Sequence, residues 1–155
     1  MKKCSQLFLP LLFAATLSHA QLQKNDTTLW LWFDSRIDHK AIIPGKYAND
    51  PPNPDSVVHY AISSVPHLYN GYPLEFTSTK PIPSDTIPAE SLKDKNTVTL
   101  RQLSDFITQN YPRDYVGFKG AVYFKKMKHI YILETTSRKD YVMVTTVRVN
   151  VHEGD

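Results

Sequence analysis

The chain has 155 residues, enough for one ordinary domain to bury a core, and its formal charge at pH 7 is only +3. A charge this close to neutral gives no general reason to expect nucleic acid or an anionic membrane as a partner. The single cysteine, Cys4, cannot form an internal disulfide. Composition therefore excludes a disulfide-stapled scaffold and argues against polyanion binding.

Residues 1–20 are typical of a secretory signal peptide and look bacterial in style. Two lysines supply a positive start, residues 7–17 form an apolar run, and Ala20 ends a small-residue cleavage site. The run is shorter than the roughly 20 residues that a membrane-spanning helix needs. We therefore expect a mature chain from Gln21 that is exported to the periplasm or secreted. It would have no membrane span and no cysteine, with 16 basic and 15 acidic residues.

The mature chain begins with a polar segment and then a strongly apolar one. Residues 21–27 predict a flexible lead-in to a single globular domain over residues 28–155. Residues 28–34 alternate aliphatic side chains and Phe with Trp30 and Trp32, which predicts a strand. Because both faces of this strand are apolar, we expect it to be central in a sheet or covered on both sides.

A proline-rich stretch follows. Nine of the ten prolines beyond residue 20 lie between Pro44 and Pro88. Proline removes a ladder donor and restricts the residue before it, so this stretch predicts mainly turns and ordered loop. Residues 57–63 are its best strand candidate, and residues 72–77 are a second, shorter one.

The last third of the chain predicts one helix and several strands. Apolar residues recur at helical spacing over residues 97–110, and Thr97 or Thr99 can cap the start of that helix. Three strands are predicted after it, over residues 120–125, 129–136 and 141–151. The expected fold is α+β: a strand-rich single domain with one main helix packed on a C-terminal antiparallel meander, preceded by a proline-rich loop region.

Motifs for metals, cofactors and nucleophilic catalysis are missing from the sequence. Asp34, Asp38 and His39 are weak metal candidates, because they are close together but match no known ligand spacing. The five glycines form no phosphate-binding loop, and no serine stands in a nucleophile elbow. We therefore expect no cofactor, no metal and no nucleic acid partner.

The best candidate for a functional surface is aromatic. Prolines that order a loop and aromatic side chains with polar tips suit recognition, since they supply contact area at low entropic cost. The candidate binding residues are Trp30, Trp32, Tyr47, Tyr60, Tyr69 and Tyr72. The alternative is that the same rings only pack the loops onto the sheet.

These features favour a small exported, non-enzymatic binding protein such as an inhibitor, an immunity-type protein or an envelope assembly factor. Its partner would be a protein or a cell-envelope component. The alternative is a small extracytoplasmic hydrolase or carbohydrate-binding protein that uses Asp and His residues with surface aromatics. Convergence of the aspartates and histidine of residues 34–39 with His59, in one cleft with perturbed ionisation, would favour the enzyme. A third interpretation is a structural subunit whose partner covers Trp30 and Trp32.

The signal peptide predicts a defined amino terminus. The full chain, expressed in a bacterial host, should be recovered from the periplasm or the medium beginning at or near Gln21, because cleavage follows the small-residue site. Intact mass measures this directly. As a control, Leu11→Arg with Leu12→Arg should interrupt the apolar run and leave the leader attached. A wild-type protein that still begins at Met1 would contradict the prediction.

Overall fold

The computed structural model describes residues 22–44, 56–65, 74–80, 85–111 and 120–150. The predicted signal peptide lies outside these residues. Within them the chain forms eight strands, namely β1 (Thr28–Trp32), β2 (His39–Pro44), β3 (Ser56–Ile62), β4 (Leu74–Ser78), β5 (Asp85–Pro88), β6 (Thr97–Thr99), β7 (His129–Thr135) and β8 (Tyr141–Asn150). The helices are α1 (Leu100–Asn110) and α2 (Ala121–Lys126), and a short 3-10 turn covers Ala89–Leu92.

The strands form one mixed sheet in the order β2-β3-β4-β8-β7-β1-β6, and β5 pairs with the first part of β8. β1 is parallel to both of its neighbours, β6 and β7. The other pairs are antiparallel. The strand-rich α+β expectation with one main helix is therefore confirmed, and the three parallel strands place their carboxyl ends at the same end of the sheet.

β1 lies inside the sheet because both of its faces are apolar. Leu29 and Leu31 are completely buried in the main core. Trp30 and Trp32 point to the other face, where they pack on a smaller cluster around Leu133. The prediction of a central strand with two apolar faces is confirmed.

α1 is capped by its first residues and anchored by its buried ones. The Thr99 hydroxyl accepts a hydrogen bond from the Gln102 amide N–H at 3.3 Å, and the Gln102 side chain accepts one from the Thr99 amide N–H at 2.8 Å. This capping box satisfies two of the donors that a helix start leaves free. Leu103 and Ile107 then bury the inner face of the helix in the main core. The predicted helix is confirmed from residue 100, while Thr97–Thr99 form β6 instead.

The predicted strand over residues 120–125 is wrong, because this stretch forms α2. Tyr123 and Phe124 are buried in the main core, whereas Val122 is 42% exposed. A short apolar run fits a helix turn as well as a strand, so its pattern alone could not separate the two. The C-terminal antiparallel unit is therefore the hairpin of β7 and β8, joined by residues 136–140. Neither described helix has the length and apolar character needed to cross a membrane.

The proline-rich stretch contains more strand than its composition predicts. β3 and β4 confirm the two strand candidates, but β2 and β5 are additional. Pro44 and Pro88 are the last residues of those two strands, and among the described residues each strand pairs on one side only, where a missing N–H is tolerated. The other seven prolines lie outside the described residues, so the ordered-loop prediction stays a prediction.

Leu22 attaches the expected flexible lead-in to the domain. Its side chain is 7% exposed and belongs to the main core. The Gln23 amide N–H donates to the Asp26 carboxylate at 2.8 Å, and the Asp26 amide N–H donates to the Gln23 carbonyl at 3.1 Å. The described part of the lead-in is therefore packed rather than free, because one apolar side chain among the polar ones finds a place in the core.

The sheet is strongly curved toward α1. Lys40 on β2 and Glu134 on β7 lie on strands four spacings apart, which in a flat sheet would be about 19 Å. The Lys40 Nζ nevertheless lies 2.7 Å from the Glu134 Oε1. A lysine and a glutamate cannot reach each other across a flat sheet of that width, so the face that packs on α1 must be concave.

The capping box predicts a measurable loss of stability. Thr99→Ala should lower the free energy of unfolding by ~1 kcal/mol, because the amide of Gln102 loses its acceptor. Thr108→Ala is the matched control, since Thr108 is exposed in the last turn of the same helix and alanine favours helix. Chemical denaturation of both variants checks this. Equal losses in the two variants would contradict a capping role for Thr99.

Candidate functional site

A cleft of about 960 Å³ opens at the carboxyl ends of the three parallel strands. We call it the strand-end cleft; it is lined by residues 32–38, 64–65, 99–101, 104–105 and 134–135. Ligand sites often lie just outside the carboxyl ends of parallel strands. The volume is at the upper end of the range of roughly 300–1,000 Å³ that is usual for ligand pockets. The strand-end cleft is therefore the candidate functional site.

Apolar side chains form a large part of the cleft lining. Phe33 and Val65 are buried beside it, and Trp32 is half-buried. Ile37, on the link from β1 to β2, is 63% exposed. An exposed isoleucine next to buried aromatic surface offers apolar contact to a ligand or a partner.

Asp34 is held as a carboxylate by Arg36. The guanidinium donates from Nε to Oδ1 at 2.8 Å and from Nη2 to Oδ2 at 2.6 Å, and the Arg36 amide N–H donates to Oδ1 at 3.0 Å. These hydrogen bonds from the side chain and then the backbone of Arg36 lower the pKa of Asp34 to about 2. Asp34 is therefore ionised near neutral pH and cannot donate a proton there.

Asp38 fastens the link from β1 to β2 onto the end of β3. Its carboxylate is buried and accepts three hydrogen bonds. The amide N–H groups of Ser63 and Ser64 donate to Oδ1 at 2.9 and 3.0 Å, and the Ser64 hydroxyl donates to Oδ2 at 2.8 Å. Asp38 therefore shapes the cleft, with its oxygens already satisfied inside the protein.

Glu134 is the cleft carboxylate that is bonded by side chains of distant strands. The Lys40 ammonium donates to its two oxygens at 2.7 and 2.9 Å, and the Tyr60 hydroxyl donates to Oε1 at 2.8 Å. The Tyr60 oxygen also lies 2.9 Å from the Thr145 hydroxyl. Because a phenol has a single hydrogen, Tyr60 donates to Glu134 and accepts from Thr145. Burial raises the pKa of Tyr60, so the phenol stays protonated.

Two charged side chains of the cleft have no partner within the described residues. Arg101 and Asp105 lie one helical turn apart on α1, and both are exposed. The other charged groups of the lining are engaged by internal hydrogen bonds. Within the described residues, the cleft can therefore offer a ligand apolar contact together with one free cation and one free anion.

The two tryptophans predicted as binding residues have different surroundings. Trp32 lines the strand-end cleft. Trp30 does not, and its ring stacks on Tyr131 with centroids 4.1 Å apart and planes 19° from parallel. The Lys95 ammonium lies 5.8 Å from the centroid of the Trp30 ring. Trp32 is therefore the tryptophan that the structure brings to the candidate site.

Tyr60 has no exposed surface to offer, which corrects its place among the candidate binding residues. It is completely buried, and its ring meets Phe33 edge-on with centroids 5.0 Å apart. A tyrosine in the middle of a covered strand fills the core, and its hydroxyl then needs the internal partners described above. The other tyrosine candidates, Tyr47, Tyr69 and Tyr72, lie outside the described residues.

The weak metal candidates do not come together as a ligand set. Asp34 and Asp38 both line the cleft, but donors inside the protein occupy their oxygens. His39 begins β2 and is exposed outside the lining, and the His59 imidazole faces Glu75 at 3.5 Å. Among the residues that the structure describes, no group of three or more His, Cys, Asp and Glu side chains could hold a metal ion.

Glu134 and Arg101 are site residues that the sequence reasoning missed. A carboxylate inside the apolar strand at residues 129–136 is a detectable signal, since glutamate is seldom buried unless it is paired. Its partner Lys40 is 94 residues away in sequence, so the pair itself has no local pattern. In the sequence, Arg101 resembles any solvent-exposed helix residue. Its location at the cleft follows only from where α1 begins in the structure.

Comparison with known proteins identifies no relative of the chain. No family model, no curated protein and no solved structure matches the chain. The class of protein therefore follows from the structure itself. It is a mixed-sheet α+β protein with a cleft at the carboxyl ends of its parallel strands.

The Lys40–Glu134 pair predicts a strong effect of removing one partner. Lys40→Met should cost about 3 kcal/mol of unfolding free energy, because it leaves a buried carboxylate without a counter-ion. Adding Glu134→Leu should recover most of that loss, since the buried charge is then gone.

A surface pair supplies the control for this prediction. Lys93 and Glu90 are 2.6 Å apart, but their side chains are 70% and 79% exposed. Lys93→Met should therefore change stability by less than about 0.5 kcal/mol. Urea denaturation of the three variants measures the difference. A double variant no more stable than Lys40→Met would show that the loss does not come from an unpaired carboxylate.

Proposed function

We propose that this protein is a small exported binding protein without catalytic activity, and that the strand-end cleft is part of its binding surface. The observation that supports this most is that the cleft carboxylates are already hydrogen-bonded inside the protein. Asp34, Asp38 and Glu134 all accept hydrogen bonds from groups of the same chain. Their oxygens are engaged by donors of the protein itself, which favours recognition over proton transfer.

An acid or base in catalysis needs a pKa near the working pH and a proton within reach of the substrate. The pKa of Asp34 is about 2, far below neutral pH. Of the histidines that the structure describes, namely His39, His59 and His129, none lines the cleft. The hydrolase alternative therefore has less support than the binding protein.

A protein or another component of the cell envelope is the proposed partner. Trp32 and Arg101 are residue types that concentrate the binding energy of protein interfaces, and Ile37 adds exposed apolar surface beside them. Trp30, the other tryptophan, is outside the cleft and has Tyr131 stacked against one face of its ring. An inhibitor, an immunity-type protein and an envelope assembly factor all fit this proposal.

The proline-rich segments are part of the proposal because of their sequence. They carry Tyr47, Tyr69 and Tyr72, whose polar tips and large rings suit a recognition surface. Val65, which lines the cleft, directly precedes the segment that contains two of these tyrosines. This closeness in sequence is consistent with one surface that includes both the cleft and the proline-rich loops.

Capture of the partner tests the proposal. The mature chain, used as bait in the native host, should enrich one envelope or secreted protein, identified by mass spectrometry. Ile37→Lys should reduce that enrichment at least tenfold, because it puts a charge into the apolar side of the cleft.

Val122→Lys is the matched control, since it adds the same charge at an exposed apolar position of α2 outside the cleft. It should retain the partner. Equal retention by both variants would contradict a role for the cleft. Turnover of a glycoside, ester or peptide substrate that is lost in Glu134→Gln would contradict the non-enzymatic assignment.

A further inference from the structure

Arg101 and Asp105 form no ion pair in the described part of the chain, either with each other or with another side chain. They lie on one face of α1, because residues four apart in a helix stand one above the other. The helix dipole disfavours a cation in the first turn, so Arg101 does not serve the stability of α1. Both side chains line the strand-end cleft, where their charges are available to a ligand.

The other charges of the cleft argue against an anionic ligand. Two of the carboxylates in the lining already have a cationic partner from the same chain. Asp38 is buried and accepts hydrogen bonds from uncharged groups of Ser63 and Ser64. The positive charge of Arg101 is therefore offset by Asp105, and the described lining has no surplus of cations. A phosphate group or an anionic lipid surface finds little attraction here, whereas a ligand that carries one charge of each sign is matched.

The spacing of these two charges matches an extended peptide. Four residues of helix rise about 6 Å along the helix axis. In an extended chain, side chains two residues apart lie on the same face and are separated by about 6.6 Å. Two charged side chains on one face of a bound peptide can therefore meet Arg101 and Asp105 at the same time, while the side chain between them points the other way.

Apolar side chains of the lining complete this match. Trp32 is half-buried, Val65 is buried and Ile37 is 63% exposed, and all three line the same cleft. They lie on β1, after β3 and on the link from β1 to β2, whereas the two free charges lie on α1. An extended peptide bound between these elements would present its charged side chains to α1 and the intervening side chain to the apolar surface.

We propose that the strand-end cleft binds an extended segment of a protein partner in which an acidic and a basic residue flank one apolar residue. The acidic side chain pairs with Arg101, the basic one pairs with Asp105, and the apolar one contacts Trp32 and Ile37. This inference rests on the proposed binding function and adds the chemistry of the partner. Because an exposed ion pair changes affinity only about threefold, the two charges select the sequence, and the apolar contact supplies more of the affinity.

Selection from a library of short random peptides tests the charge pattern. The chain produced from residue 21 should enrich peptides in which an acidic and a basic residue flank an apolar one. Asp105→Lys should shift the enriched pattern to two acidic residues around the apolar one, because both charges of α1 are then positive. Arg101→Glu should shift it to two basic residues. Asp94→Lys is the matched control and should select like the wild type, since it makes the same charge change at an exposed position outside the cleft.

Synthetic peptides measure the same preference in solution. A peptide with the sequence Glu-Leu-Lys should bind the wild type about threefold more tightly than one with Glu-Leu-Glu, and Asp105→Lys should reverse that order. Circular dichroism checks that the variants fold. An enriched pattern that is the same in the wild type and both α1 variants, or opposite charges at helical spacing, would overturn the inference. Partner capture that is lost in Ile37→Lys but kept in Arg101→Glu and Asp105→Lys would also overturn it, while leaving the binding function itself supported.

Discussion

The ion pair between Lys40 and Glu134 joins β2 to β7 across the concave face of the sheet, and the other features of the molecule depend on that curvature. A buried ion pair adds little net stability, because the loss of hydration offsets most of the attraction. Here the hydrogen bond from Tyr60 supplies a further donor to the carboxylate. The pair therefore joins β2 to β7 across this face, with the carboxylate satisfied by Lys40 and Tyr60 together.

That curvature creates the strand-end cleft. It brings the link between β1 and β2 back over the ends of the parallel strands, where Asp38 fastens it to the residues after β3. α1 begins at the same end, directly after β6, so Arg101 and Asp105 reach the cleft. A flatter sheet would separate these elements, and the cleft would have no wall on the β2 side.

The parts of the fold that the sequence predicts are those with a regular local period. β1 alternates over its five residues, and α1 repeats apolar residues over three turns with Thr99 as a cap. β7 and β8 are instead marked by runs of seven and ten residues rich in β-branched and aromatic side chains. α2 is too short for its period to exclude a strand, and β2 stands just before a run of prolines. The cleft depends on parallel pairing and on the contact of Lys40 with Glu134, and neither leaves a local pattern.

Burial changes what the aromatic composition means. Tyr60, Phe76 and Tyr123 are completely buried, so much of the aromatic content that favours a recognition surface instead fills the core between the sheet and the helices. Among the described residues, the surface left for recognition is smaller than the aromatic content suggests. It lies at the cleft, where Trp32 is part of the lining and Ile37 is exposed beside it. The binding hypothesis therefore no longer rests on the number of aromatic residues. It rests on the end of the sheet where apolar surface and unpaired charges meet.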